Sequence, residues 1–159
     1  MNIDILCVGK IKEKYFTDAI NEYTKRLGRY CKLNIISVND EKTPASTTDR
    51  ERNIIVDAEY QRLQKYIKED AYVIALAIDG RSYSSEKFAN MINNIGINGT
   101  STIQFVIGGS LGLSDEILKK ADLKVSFSDM TFPHQLMRVI LLEQIYRAYR
   151  IINNEPYHK

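Results

Sequence analysis

The glycines between positions 108 and 112 are the clearest chemical feature of the sequence. The segment Gln104-Phe-Val-Ile-Gly-Gly-Ser-Leu-Gly-Leu-Ser114 leads from an apolar run into a helix start and carries glycine at 108, 109 and 112. Glycine allows a tight turn and a close approach of backbone to ligand, and open α/β sheets bind ligands at the C-terminal ends of their strands. The spacing matches neither a P-loop nor the GxGxxG dinucleotide motif. We therefore favour a small-molecule site of another kind over a plain tight turn.

Arg138 is the second candidate, because it lies on an apolar stripe of the last predicted helix. Helical spacing places Leu142, Ile145, Tyr149 and Ile152 on the same side of that helix as Arg138. A buried arginine needs a partner, since an unpaired buried charge is costly. A structural ion pair and the binding of a phosphate or substrate are both open.

Histidines and cysteines are few. His134 follows Pro133 at the start of the last helix, where capping or packing and substrate contact are equally open, and His158 is one residue from the chain end. Cys7 and Cys31 belong to no CxxC or Cys/His cluster, so we predict reduced thiols and no metal site.

The elements that must position these residues alternate between strand and helix. Strands are predicted at 3–8, 33–38, 71–78, 102–107 and 123–127, and helices at 15–30, 49–69, after Ser84 or Ser85, after Ser114, and at 134–152. This order predicts an α/β fold with a largely parallel sheet. The last helix is apolar nearly all round, with Leu136, Ile140 and Ile151 opposite the Arg138 stripe, which suggests a subunit interface.

Length and composition bound the class of protein. A chain of 159 residues with 44% apolar and 26% charged residues is predicted to form one globular domain, residues 1–159. No apolar run approaches the length of a membrane span, and the N-terminus has no signal-peptide pattern, so we predict a cytoplasmic protein without a membrane partner. The net charge of +2 is too small to indicate a nucleic-acid partner, although basic terminal stretches flank a slightly acidic middle.

Several motifs taken together resemble a known family. They are the stretch 107–114 with its glycines, Phe127-Ser-Asp-Met-Thr-Phe-Pro-His134, Arg138-Val, Glu143-Gln-Ile-Tyr-Arg-Ala-Tyr149, and the ending Pro156-Tyr-His-Lys159. Over essentially its whole length the chain is similar to the ribosomal RNA large subunit methyltransferase H family of the SPOUT class. That family methylates N3 of a pseudouridine in bacterial large-subunit (23S) rRNA.

The resemblance implies a fold and a cofactor beyond those that the pattern alone indicates. It implies a trefoil-knotted, Rossmann-like domain that forms an obligate homodimer and binds S-adenosylmethionine in the knot, with no metal. By position, the cofactor contacts of the family fall on Leu76, Gly108, Phe127, Ser128, Asp129, Met130, Thr131 and Phe132. On the substrate side we expect His134, Arg138, Tyr157, His158 and Lys159, with Arg138 and His158 as the catalytic candidates.

The chemistry expected of such an enzyme is an in-line methyl transfer, in which alignment of the reacting atoms supplies most of the catalysis. The N3 proton must also leave, and a general base would assist, but the sequence does not identify one. Tyr157 could stack on a base. Two other classes of protein remain as alternatives: a non-catalytic knotted RNA-binding or ribosome-associated factor, and a Rossmann-type nucleotide-dependent oxidoreductase.

Overall fold

Five parallel strands form the centre of the protein, seen in a computed structural model that describes all of residues 1–159. The strands are β1 (Asn2–Val8), β2 (Lys32–Val38), β3 (Tyr72–Ser82), β4 (Thr102–Ile107) and β5 (Leu123–Ser126), in the sheet order β2-β1-β4-β3-β5. Every neighbouring pair is parallel. The predicted α/β class with a parallel sheet is therefore confirmed.

Helices cover both faces of the sheet. They are α1 (Lys14–Leu27), α2 (Asp49–Leu63), α3 (Ser85–Ile97), α4 (Asp115–Lys120) and α5 (His134–Ile152). Alternate residues of β1 divide the core: Ile3, Ile5 and Cys7 pack with α1, α3 and α5, while Leu6 and Val8 pack with α2 and α4. Because β4 lies at the centre and is covered on both sides, all of its residues are buried.

The helix α2 ends earlier than the sequence predicts. It stops at Leu63 and continues only as a short 3-10 turn over Gln64–Tyr66, whereas the prediction ran to residue 69. The reason lies in β4: the Gln104 side chain donates to the Tyr66 carbonyl (2.9 Å) and accepts from the Lys68 amide (2.9 Å). These two bonds direct the chain into β3 in place of a further helical turn.

The strand β3 is longer than predicted and irregular. Leu76 and Arg81 both pair with Val125 of β5, so residues 77–80 form an extra segment within the strand. That segment passes directly against β5, because a Cβ added at Gly80 would lie 2.7 Å from the backbone of both Lys124 and Val125. Only glycine fits such an approach.

Candidate functional site

A single large cavity opens at the C-terminal ends of β3, β4 and β5, the edge where parallel α/β sheets bind ligands. Its volume is about 970 Å³, and three chain segments form its walls: residues 76–79 of β3, the glycine loop and the segment between β5 and α5. Among its lining residues are Leu76, Gly108, Phe127, Ser128, Met130, Thr131 and Phe132, which the resemblance implied as cofactor contacts. Asp129, the eighth residue of that set, is exposed and does not line the cavity.

The glycine loop closes on itself. Gly109 and Gly112 form an antiparallel bridge, with the Gly112 amide donating to the Gly109 carbonyl (3.1 Å). A Cβ added at Gly108 would lie 2.4 Å from the Gly112 oxygen, and Gly112 itself has a φ of +82°. The absent side chain of Gly108 therefore leaves room for the backbone of Gly112, whereas the sequence interpretation assigned that room to the ligand.

The segment between β5 and α5 forms the rim of the cavity. The Ser128 hydroxyl accepts from the Met130 amide (3.0 Å), and the Ser126 hydroxyl donates to the Ser128 carbonyl (3.2 Å), so local bonds shape this turn. Met130 and, across the opening, Ile78 are both more than half exposed although their side chains are apolar. The cavity therefore has an apolar rim that can cover a ligand or receive a second surface.

His134 begins α5 and also lines the cavity. Its Nε2 lies 3.2 Å from the position that a Cβ on Gly9 would occupy, so the ring packs against the end of β1. Burial, together with the charges of Arg138 and Lys12, lowers the pKa of His134 below its usual value near 6.5, and the opposing effect of Asp40 does not restore it. The imidazole is therefore neutral at pH 7 and can accept a proton.

Arg138 lies one turn further along α5 and is buried, with 2% of its surface exposed. Its guanidinium donates to the carbonyls of Val8 (3.0 Å) and Gly9 (2.5 Å) and to the Ser37 hydroxyl (3.2 Å), while its Nε has no partner. It neither lines the cavity nor forms an ion pair with a carboxylate. In the protomer, Arg138 fixes the end of β1, and through it the position of Gly9 beside His134.

The C-terminal residues fold back on α5 and do not line the cavity. The Tyr157 hydroxyl donates to Glu143 (3.0 Å), and the His158 ring lies between Arg147 (3.2 Å) and Glu86 (2.8 Å). Lys159 is exposed. The tail is therefore an ordered element attached to α5 and α3.

Arg147 and Arg150, the two arginines of α5 beside the tail, are both paired with carboxylates. Arg147 pairs with Glu143, and Arg150 pairs with Glu155 and donates to the Pro156 carbonyl (2.9 Å). Of Arg147, Arg150 and Lys159, only the exposed Lys159 forms no ion pair with a carboxylate.

Two residues of α2 behind the glycine loop were missed by the sequence analysis. Arg52 donates to the Leu111 carbonyl (3.0 Å), and Glu59 is buried beside Gly109. Both lie on the helix face that also carries the buried Val56 and Leu63, and this spacing of three and four residues is the one sequence feature that points to them.

The structure contains no metal site, no reactive cysteine and no membrane-spanning helix. No group of three or more His, Cys, Asp and Glu side chains is placed to hold a metal ion, and both cysteines are free. Burial raises the pKa of the Cys7 and Cys31 thiols to about 11, so neither is an activated nucleophile. No helix is both long enough and apolar enough to cross a bilayer.

Comparison with known proteins agrees with this geometry. A family described as "Predicted SPOUT methyltransferase" matches residues 1–158. Proteins named ribosomal RNA large subunit methyltransferase H from Bifidobacterium adolescentis and Clostridium novyi are 61% and 59% identical over 159 residues, which is 100% of each chain compared. A solved structure described as a probable methylase family protein from Haemophilus influenzae Rd KW20 covers 99% of this chain and 70% of its own, with a TM-score of 0.57 and 14% identity, and supports the fold alone. By the family match and by the identity to these relatives, the chain belongs to the SPOUT methyltransferase family.

Proposed function

We propose that this protein is an S-adenosylmethionine-dependent methyltransferase that modifies N3 of a pseudouridine in large-subunit ribosomal RNA. The observation that carries the proposal is the identity of about 60%, over the full length of both chains, to relatives named ribosomal RNA large subunit methyltransferase H. The working enzyme is a cytoplasmic homodimer of one trefoil-knotted domain, as the resemblance to the family implies.

The cavity has the size and the lining that this cofactor requires. At about 970 Å³ it lies at the upper end of the usual range for small-molecule sites, and 12 of its 22 lining residues are hydrophobic. Leu76, Ile107 and Phe127 would supply apolar surface to the cofactor, and the backbones of the glycine loop and of residues 127–132 would supply polar groups. When bound, the cofactor supplies a methyl group activated by the sulfonium charge.

The protein must also orient the uracil ring and remove the N3 proton. His134 supports this step, because it lines the same cavity and its imidazole is neutral at pH 7. A neutral imidazole within reach of N3 can accept the proton while the methyl group is transferred. We therefore assign the general base to His134, a role for which the sequence alone named no residue. Arg138, Tyr157, His158 and Lys159 remain proposed substrate-side residues, and His158 and Arg138 remain candidates for catalysis.

A methylation assay tests the proposed function directly. The protein is incubated with labelled S-adenosylmethionine and, in separate reactions, assembled ribosomes, free large subunits and naked large-subunit rRNA that lack the modification. We expect incorporation into at least one substrate, and mass spectrometry of the digested RNA should identify 3-methylpseudouridine. RNA binding without any cofactor affinity in calorimetry would instead favour a non-catalytic RNA-binding factor.

A further inference from the structure

Glu59 of α2 is a buried carboxyl group without a hydrogen-bond partner. Two acidic side chains are buried in the protein, Asp4 and Glu59. Asp4 accepts hydrogen bonds from Asn34, Lys68 and Gln104, which outweigh the effect of its burial and lower its pKa. Glu59 is 4% exposed, and its Oε2 is fully buried with no partner at all. A buried polar group left without a partner is costly and requires an explanation.

Glu59 packs against the glycine loop. A Cβ added to Gly109 would lie 2.8 Å from Glu59 Oε2 and 3.0 Å from Val8 Cγ1, so the carboxyl group packs directly against the Gly109 backbone. Gly109 itself lines the cavity, so Glu59 contacts the outer side of the cavity wall. Any movement of the Glu59 carboxyl group therefore acts on the loop through Gly109.

The same helix contacts the loop at a second point. Arg52, seven positions before Glu59, donates to the Leu111 carbonyl, so α2 supports the loop at positions 109 and 111. The helix start is itself well fixed, because Thr48 and Glu51 form a capping box. The helix therefore provides a rigid support on the outer side of the loop.

We propose that Glu59 is a positioning residue for the cofactor: in its neutral form it packs beneath Gly109 and holds the Gly108–Gly112 loop in the shape that receives S-adenosylmethionine. The inference rests on the proposed function. Glu59 touches neither cofactor nor substrate, and it acts through the backbone of Gly109.

The electrostatics around Glu59 favour the neutral form. The charged groups that face it are Asp40 and Glu41, which follow β2, and Arg62 of its own helix, while Gly109 and Val8 on the remaining sides are uncharged. Arg62 is already engaged with Glu41 and with the Asn39 carbonyl (2.8 Å). Burial, and then the carboxylate of Asp40, raise the pKa of Glu59 to about 7.

This makes the support dependent on pH. Below pH 7 the carboxyl group is neutral, and its fully buried Oε2 packs against Gly109 without a partner. Above pH 7 the group ionises, and the buried Oε2 of the carboxylate gains water only if Gly109 moves away. A bound cofactor would cover the loop and remove the remaining access of Glu59 to water, which raises the pKa of Glu59 above its value of about 7 in the free protein. Binding above pH 7 must then return a proton to Glu59, so affinity falls and proton uptake on binding rises as the pH increases through 7.

Calorimetry on the full-length protein tests the proposal. The titrant is S-adenosylmethionine at pH 6.0 and pH 8.5, in buffers of different ionisation enthalpy so that protons taken up on binding are counted. The variants are Glu59→Gln, which keeps the shape of the neutral acid, and Glu59→Ala, which removes the support. Asp57→Asn, an exposed carboxylate on the same helix, is the matched control. KM and kcat on rRNA are measured for each protein.

We expect the parent and Asp57→Asn to lose affinity from pH 6.0 to 8.5 and to take up protons on binding near pH 7.5. Glu59→Gln should keep the pH 6.0 affinity throughout, with less proton uptake than the parent. Glu59→Ala should bind roughly ten-fold more weakly at both pH values, with KM for the cofactor raised and kcat little changed. A residue that merely stabilises the fold would shift the melting temperature without this change in pH dependence.

Affinity curves for the parent and Glu59→Gln that superpose across the pH range would overturn the inference, even if Glu59→Ala does not fold. Failure of the proposed function has a different signature. In that case the parent itself binds no S-adenosylmethionine at either pH, and the comparison among variants never arises.

Discussion

Gly108 shapes the cavity wall, because the backbone of Gly112 occupies the space that a side chain at position 108 would need. Replacing Gly108 with Ala places a Cβ 2.4 Å from the Gly112 carbonyl oxygen, which is backbone and cannot rotate away. We expect Gly108→Ala to destabilise the fold by about 1–3 kcal/mol, the usual cost of overpacking, and to weaken cofactor binding because the loop must open. Gly96→Ala is the control, since its Cβ meets only the flexible end of Met1. Chemical denaturation and calorimetry would measure both effects, and parent-like values for Gly108→Ala would contradict the loop geometry.

His134 gives the prediction with a pH signature. We expect His134→Gln and His134→Ala to lower kcat by roughly 10²-fold, the typical contribution of a general base, while S-adenosylmethionine affinity stays close to that of the parent. Because burial lowers the pKa of His134, the acid limb of the parent's kcat profile should lie below pH 6.5. An acid limb above pH 6.5, or variants as fast as the parent, would assign the proton transfer to another group.

For Arg138, the hydrogen bonds show a structural role, whereas its substrate role is a proposal. Removing its guanidinium leaves the buried carbonyls of Val8 and Gly9 without this donor, and each such loss costs about 1–3 kcal/mol. We therefore expect Arg138→Ala to lower the free energy of unfolding by about 2–6 kcal/mol. Ser37→Ala is the control, because it removes only the exposed hydroxyl partner.

The substrate role of Arg138 is tested in the same experiment. Loss of methylation from a variant that keeps its melting temperature and its cofactor affinity would support contact with RNA phosphate or the target uracil. Joint loss of stability and cofactor affinity would assign the residue to the architecture of β1.

At the scale of elements, the C-terminal tail is attached where α5 meets α3. Tyr157 and His158 bond to Glu143, Arg147 and Glu86, and Lys159 is free in solvent. We expect deletion of Tyr157–Lys159 to abolish or strongly reduce methylation of ribosomes, because phosphate and base contacts position the RNA. Cofactor affinity should stay nearly intact, since the tail does not line the cavity.

Lys159→Ala is the matched variant for the tail deletion. It should weaken RNA binding slightly and lower the slope of the salt dependence by about one, as loss of a single phosphate contact does. Full activity of the truncated protein on ribosomes would show that the tail is a structural end with no part in substrate binding.

The elements with strong local patterns could be predicted from the sequence. The bounds of β4 and α5 agree with the prediction, and the hydroxyls of Ser84 and Ser114 cap α3 and α4, because the residues that decide them are adjacent in the chain. The end of α2 could not be predicted, since it depends on Gln104 of β4. The extension of β3 depends in the same way on pairing with β5.

Only part of the site could be predicted, because some of its contacts join residues that are distant in the sequence. The glycine loop and the 127–132 segment stand out as local motifs, and both line the cavity. The support that Glu59 gives to Gly109 joins residues fifty positions apart through tertiary packing. Nothing in the local sequence of this charged helix indicates that Glu59 is buried, because Asp57 and Glu51 of the same helix are exposed.

At the scale of the whole molecule, neighbouring positions of α5 serve different purposes: some pack in the core of the fold, and others are available for the expected dimer interface. Leu141 is fully buried in the core, whereas its neighbour Ile140 is only half-buried and lines a small cavity beside Gln144. A charge at position 141 enters the interior without a partner, so we expect Leu141→Glu to be unfolded or insoluble. Burial therefore distinguishes these two adjacent positions of an apolar helix.

Ile140→Glu therefore tests the homodimer without destroying the protomer. Its carboxylate reaches solvent in an isolated subunit but would be buried against an apolar partner surface, where an unpaired charge is unfavourable. We expect a folded monomer by light scattering and circular dichroism, with methylation lost if the partner completes the RNA site. Lys119→Glu, on α4 across the sheet, is the charge-change control and should stay dimeric. A parent protein that is monomeric at micromolar concentration, or an Ile140→Glu variant that remains a dimer, would exclude α5 as the subunit interface.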